Sequence, residues 1–274
     1  GLEMLQHSPN KEEFFEELIE LLKDESPDVR SFAVEVLSEI KENDPFPHIL
    51  NLITDENKAV RISALMALSK NPSEDYIAYI APLTKDREIA VQKAALRALS
   101  KISSPKTLDT VIKATIDKSE TIATEAKNIL VNYAGHVPSS LIEDYINYPD
   151  SSIRYLVIEY LVEKVDTDPI LFYLQALKDS EESIRVISLL KLRNFISKPP
   201  NKDSTLSIVK DIIPLLNDPS KKVRFQALKV LEILKDSSSV EHLITIATRD
   251  PEEDIRSLAT EVIVSIRRAL RLGK

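Results

Sequence analysis

The chain repeats itself. An apolar residue recurs at Val29, Val60, Val91, Ile122, Ile153 and Ile184, each 31 residues after the last. Two further copies follow at Val223 and Ile255, after gaps of 39 and 32 residues. The next residue is Arg in six of the eight copies: Arg30, Arg61, Arg154, Arg185, Arg224 and Arg256. The exceptions are Gln92 and Ala123. Five residues before the apolar marker stands Asp24, Asp55, Asp86, Asp117, Asp179, Asp218 or Asp250, with Tyr148 in the remaining copy. A small residue three places after the Arg position, and a Leu or Ile seven places after it, keep the same phase, as in Ala33 and Leu37. Repetition on this scale is the signature of a stacked-repeat architecture.

Each copy reads as two helices. The second starts near the marker, with apolar residues at helical spacing, such as Val29, Ala33, Val36, Leu37 and Ile40. The first precedes the Asp, as in the stretch FFEELIELLK at 14–23. Polar, Pro-bearing joints divide them. Composition agrees: only three glycines, and a vocabulary of Leu, Ile, Ala, Lys and Glu. A pair of short helices cannot bury its apolar faces alone, so neighbours must stack. The expectation is an all-α, right-handed α-α superhelix of about eight repeats and sixteen helices, a single domain over 1–274. Small Ala permits close helix approach, Asp in the turn can accept backbone N–H groups, and Arg is a forked donor for carboxylates and carbonyls. Stacked at fixed spacing, these Asp and Arg residues are expected to bridge adjacent repeats as a ladder.

This pattern of Asp, apolar-Arg, Ala and Leu resembles the HEAT repeat, over about residues 11–270. The short period is similar to that of the HEAT-like repeats first noted in phycobilisome lyase subunits. The resemblance implies an α-solenoid whose second helices line a concave surface that binds proteins or peptides.

Two places depart from regularity. In the middle of the chain, where Gly135 also lies, Gln92 and Ala123 replace the Arg and Tyr148 the Asp, and YAGHVPSSLIE (133–143) reads as a helix stop at Gly135 followed by a Ser140/Glu143 capping box. This is either a well-capped joint or a soft one, near 135–139. The extra residues around SKPPNKDS (197–204) read as a surface loop.

Little points to chemistry. His7, His48, His136 and His242 stand in no metal-ligand spacing, and no Gly-rich phosphate loop or G-x-S-x-G elbow occurs. Without Cys there is no disulfide and no thiolate site. Among enzymes with similar repeats, di-iron deoxyhypusine hydroxylases need His-Glu pairs, and none occurs. HEAT-like DNA glycosylases rely on Trp and a basic concave face, whereas this chain has no Trp and a net charge of -8. No catalytic residue, cofactor or metal is expected. No apolar run of about 18 residues is present to span a membrane, and GLEMLQHSPN lacks the features of a signal peptide. Met4 is expected to be the natural start, and the setting cytoplasmic.

The net charge opposes general nucleic-acid binding. It is unevenly spread: residues 1–60 carry 15 acidic and 5 basic side chains, residues 184–274 carry 11 and 17. Positions one, five and eight after the Arg position should face away from the core, along the concave surface. Several are apolar: Ile62, Met66, Tyr155, Val186, Leu190 and Phe225. Lys93, Arg97, Arg193 and Lys229 flank them. Either tight curvature lets neighbouring helices cover these side chains, or they mark a contact surface for a partner with apolar anchors and acidic residues. The expected function is a non-enzymatic scaffold or adaptor for a protein or peptide partner, with Tyr155, Leu190 and Phe225 as anchors. The alternatives are a nucleic-acid-associated protein using the basic C-terminal half, or a lyase- or chaperone-like subunit.

Overall fold

The computed structural model describes residues 11–40, 43–102, 104–198 and 208–272. These residues form sixteen α-helices, joined by turns and short 3-10 segments. Two compact units divide the chain, Gly1–Gly135 and His136–Lys274.

In the first unit the hairpins are α1 (Phe15–Leu21) with α2 (Pro27–Leu37), α3 (Phe46–Leu50) with α4 (Lys58–Lys70), α5 (Ile77–Ile80) with α6 (Ile89–Ser100), and α7 (Pro105–Ala114) with α8 (Glu120–Val131). In the second they are α9 (Ser139–Ile146) with α10 (Ser151–Tyr160), α11 (Ile170–Ala176) with α12 (Glu182–Ile196), α13 (Val209–Ile212) with α14 (Lys221–Leu234), and α15 (Val240–Arg249) with α16 (Glu253–Leu272). Each even-numbered helix packs on its own hairpin partner and on the even-numbered helices of adjacent repeats in the same unit. The result in each unit is a solenoid stack, as the period predicts.

Sequence explains the helix boundaries. Pro27 and Pro105 open α2 and α7, where a missing N–H costs nothing. The Asn57 side chain caps α4 through the Ala59 N–H, and Asp150 caps α10 through those of Ser152 and Ile153. Several odd-numbered helices are short because the chain tightens into 3-10 turns, as at Ala81–Lys85 and Ile213–Asn217, each carrying a Pro in its first turn.

The phased positions form the core. Val60, Val91, Ile122, Ile153, Ile184, Val223 and Ile255 are wholly buried, while Val29 is half-buried. Ala33, Ala64, Ala95, Ala126, Ala227 and Ala259 are wholly buried beneath them. Ser188 takes that place in α12, and its hydroxyl donates to the Ile184 carbonyl at 2.7 Å, which removes the cost of burying it.

The joint after α8 differs from the sequence expectation. The helix ends at Val131, before Gly135, and Gly135 does not take a positive φ. A Cβ there would lie 2.6 Å from the Tyr133 hydroxyl oxygen, so the glycine permits close approach to that ring. No Ser140/Glu143 box caps α9. Pro138 takes the cap position, Ser140 lies inside the first turn, and the Ser139 N–H donates to Asp166 at 3.0 Å. The stretch 197–204 is described only at Ser197 and Lys198, which close α12; the rest lies outside the described residues.

Candidate functional site

The Asp and Arg series meet between repeats. Each Asp stands two residues before the residue that precedes the helix proper, and accepts that residue's N–H. Asp24 accepts from Ser26, Asp55 from Asn57, Asp86 from Glu88, Asp117 from Ser119, Asp179 from Glu181, Asp218 from Ser220 and Asp250 from Glu252, at 2.8–2.9 Å. The carboxylate therefore shapes the turn before the helix rather than capping the helix itself. Asp55, Asp86, Asp179, Asp218 and Asp250 also receive the Arg of the preceding repeat, whereas Asp24 opens the first repeat. Arg30 clasps Asp55 with Nε and Nη2 at 2.8 and 2.9 Å. Arg154 clasps Asp179, Arg185 clasps Asp218 and Arg224 clasps Asp250 in the same two-point way. Arg61 reaches Asp86 with Nη2 alone, and its buried Nε has no partner.

The remaining nitrogen, Nη1, holds the turn of the Arg's own repeat. Arg30 donates to the carbonyls of Asp24 and Glu25, and Arg61, Arg154, Arg185, Arg224 and Arg256 do the same with their own turns. A carbonyl is independent of side-chain identity, so Tyr148 serves Arg154 as well as an Asp does. One guanidinium thus ties a turn, a helix and the next repeat together.

At Asp117 the arrangement changes. Gln92 donates to the Asp86 carbonyl, and Lys85 supplies the cation at Asp117, 2.5 Å away. The bond from Lys85 and that from the Ser119 N–H hold the Asp117 carboxyl below its ordinary range. At Asp55 and Asp179 burial pushes the carboxyl up. The Arg bond, the backbone N–H and the neighbouring charges outweigh burial, and both carboxyls titrate below the usual value.

The outward stripe of the even-numbered helices is the second feature. In the first unit, Ile62, Met66, Lys93 and Arg97 come together around one groove of about 520 Å³ between α4 and α6. Met66 is 59% exposed there, and Ile62 is half-buried against the core. Arg97 and Lys93 are not free. Glu125 of α8 accepts from Arg97 at 2.6 and 3.1 Å and pairs with Lys93 at 3.3 Å. These bonds, Arg97's above all, lower the Glu125 pKa against the effect of burial. Glu125 escaped the sequence reading, although it lies 28 residues after Arg97, close to one repeat on.

In the second unit, α10, α12 and α14 pack in succession and carry Tyr155, Val186, Leu190, Arg193, Phe225 and Lys229. Phe225 is 37% exposed; the other five are half-buried. Burial raises the Tyr155 pKa, and the nearby Glu159 carboxylate raises it further. Arg193 donates to Gln226 at 3.2 Å and Lys229 pairs with Glu232 at 3.0 Å. Val162 holds a position that helical phase assigns to the outside, yet it is wholly buried. The reason is local: α10 ends at Tyr160, and a 3-10 turn at Val162–Lys164 redirects the chain.

Among the described residues, no three His, Cys, Asp or Glu side chains are placed to hold a metal, and no helix is long and apolar enough to cross a membrane. His48, His136 and His242 are exposed, and His7 lies outside the described residues.

Models of the HEAT repeat match residues 46–130 and 170–263, and a further one matches residues 14–43. Neither singles out the phycobilisome lyase type. No curated protein matches the chain. Among solved structures, an engineered protein is 17% identical, over 92% of this chain and 78% of its own, with a TM-score of 0.43. YibA of E. coli is 17% identical, over 97% and 95%, with a TM-score of 0.42. A chain from the complex of Kap95p with RanGDP is 16% identical, over 96% of this chain and 41% of that one, with a TM-score of 0.48.

Proposed function

This chain belongs to the HEAT-repeat family of helical solenoids, and we propose that it is a non-enzymatic scaffold that binds a protein or peptide along the face of its even-numbered helices. HEAT-repeat solenoids commonly serve as protein-binding scaffolds. One observation carries the reading. The outward stripe keeps large apolar side chains in contact with solvent while the core positions of the same helices are already filled. Met66 stands 59%, Phe225 37% and Val264 61% exposed, beside wholly buried Val60, Val223 and Ile255. Scattered exposed apolar residues are ordinary, but Phe225 and Val264 hold outward positions on α14 and α16, which pack together in the second unit, and exposed apolar side chains on neighbouring helices support a contact surface.

The alternative of nucleic-acid binding through residues 184–274 gains less support. Several cations of that segment are committed to carboxylates: Arg185 to Asp218, Arg224 to Asp250, Lys221 to Glu252 and Asp254, and Lys222 to Glu182. Binding by the remaining cations would show as a salt-dependent shift of duplex DNA in a gel.

The test is a double substitution, Tyr155→Ser with Phe225→Ser. The melting temperature should stay within a few degrees of the parent. Capture of native partners should fall about 30-fold or more, given about 2 kcal/mol for one such anchor. Unfolding of the variant would assign these side chains to the core. A stable variant that still retains every partner would remove this face as the site.

A further inference from the structure

The groove between α4 and α6 differs from the rest of the stripe in charge. Its floor is apolar: Ile62 and Met66 on one side, Ala90 and Ala94 on the other. The alanines stand one helical turn apart on α6 and leave a trough where longer side chains would fill the space. Along the rim, again about one turn apart, run Lys93 and Arg97 of α6 and Lys101, which caps its C-terminal end. No Asp or Glu lines this groove. The one carboxylate that reaches its cations is Glu125 from α8, shared between Arg97 and Lys93. Lys101 is exposed and enters no ion pair among the described residues. Three cations against one carboxylate leave a local positive surplus on a chain whose net charge is -8.

We propose that this groove receives one segment of a protein partner in which a large aliphatic or aromatic side chain is flanked by carboxylates. The inference rests on the scaffold reading and adds the place and the chemistry. The apolar anchor enters the alanine trough against Met66 and Ile62, where it gains contact area without displacing a core residue. The carboxylates meet Lys101 first, because it is uncommitted, and then Lys93 and Arg97, whose claim on Glu125 is shared. A basic segment is repelled by the same rim. A phosphodiester backbone gains nothing from the apolar floor. With only three rim cations, the segment's acidic character sets the selectivity and the rate of encounter, while the anchor sets residence time.

The probe is a phage-displayed library of random peptides of about 16 residues, panned on the full chain, with one enriched peptide then synthesised and labelled for fluorescence polarisation. Enriched sequences should place Leu, Ile, Met, Phe or Tyr beside two or more Asp or Glu. Binding of the synthetic peptide should weaken about tenfold with Met66→Ser, and at least tenfold with Lys101→Glu. It should be indifferent to Phe225→Ser and should fall as salt rises. Both groove positions are exposed, so both variants should melt with the parent; Arg97→Glu serves as a third probe if either does not. Enrichment of neutral or basic peptides overturns the proposal. So does binding that ignores Met66→Ser and Lys101→Glu. Peptides blind to those two variants but weakened by Tyr155→Ser or Phe225→Ser would overturn it while leaving the scaffold reading intact. No enrichment above background would sink both. Sedimentation as a dimer that Lys101→Glu dissolves would assign the groove to a second copy of this chain, and would also overturn it.

Discussion

At the scale of single residues, the Arg of one repeat and the Asp of the next meet in a nearly buried ion pair. The pair is nearly dry: the Asp250 side chain is 1% exposed beneath Arg224. Removing one member strands a buried charge, whose cost exceeds whatever the intact pair contributes. Arg224→Ala should therefore lower unfolding free energy by about 3 kcal/mol in urea titrations. An exposed pair such as Lys58–Glu88 should cost well under about 1 kcal/mol when broken. The converse substitution, Gln92→Arg, offers Asp117 the two-point partner its counterparts have, and should raise the urea midpoint if the fork displaces Lys85. The same pairs set the acid response. The folded pKa of Asp55 and of Asp179 is depressed, so their stabilising effect is complete above the unfolded value of about 3.9. It is lost as pH falls through the lower folded pKa. Stability measured from pH 7 downward should hold until about pH 4 and then drop. Asp179→Asn should lower stability at neutral pH and shrink that acid step; an unchanged step would show that other carboxylates govern it.

At the scale of the element, one helix turns two adjacent residues to opposite fates. Leu65 is wholly buried and Met66 is 59% exposed, in the same turn of α4. Leu65→Ala should cost about 3 kcal/mol, whereas Met66→Ala should fall within about 0.5 kcal/mol. Thermal melts of the two variants would compare them directly. The sequence made Val60, Ala64, Ala67 and Leu68 legible as core, because they share one face at helical spacing. It did not single out Leu65. That residue, like Val34, Leu96, Ile158, Leu189 and Leu228, lies four places after the Arg position and is fully or nearly fully buried. An isolated hairpin would leave this position wet. Packing each even-numbered helix between the even-numbered helices of adjacent repeats widens the buried arc to include it.

At the scale of the whole molecule, a solenoid's stability is approximately a sum over repeats and nearest-neighbour contacts, so weak links stay local. The Arg position is lost at Gln92 and Ala123, and the Asp position at Tyr148. Helices α8 and α9 should then open more readily than α2 or α12, where the Arg fork is present. In native-state hydrogen exchange, amides in residues 118–150 should exchange fastest among helical amides. Even protection along the chain would refute a soft joint near Gly135.

The period alone determined that the chain is helical, that its helices come in pairs, and which side of each second helix is core. Those properties are local: 3.6 residues per turn and a 31-residue repeat place Val60 inside and Met66 outside without reference to any neighbour. Tertiary structure decided the contacts between repeats. It gave Arg97 and Lys93 to Glu125, turned Val162 inward after α10 ended, placed Gly135 against the Tyr133 ring, and opened a trough over Ala90 and Ala94. The reason is that contact across repeats depends on how far each hairpin is rotated and shifted against the next. That offset comes from the summed packing of many side chains, and no single helix's pattern contains it.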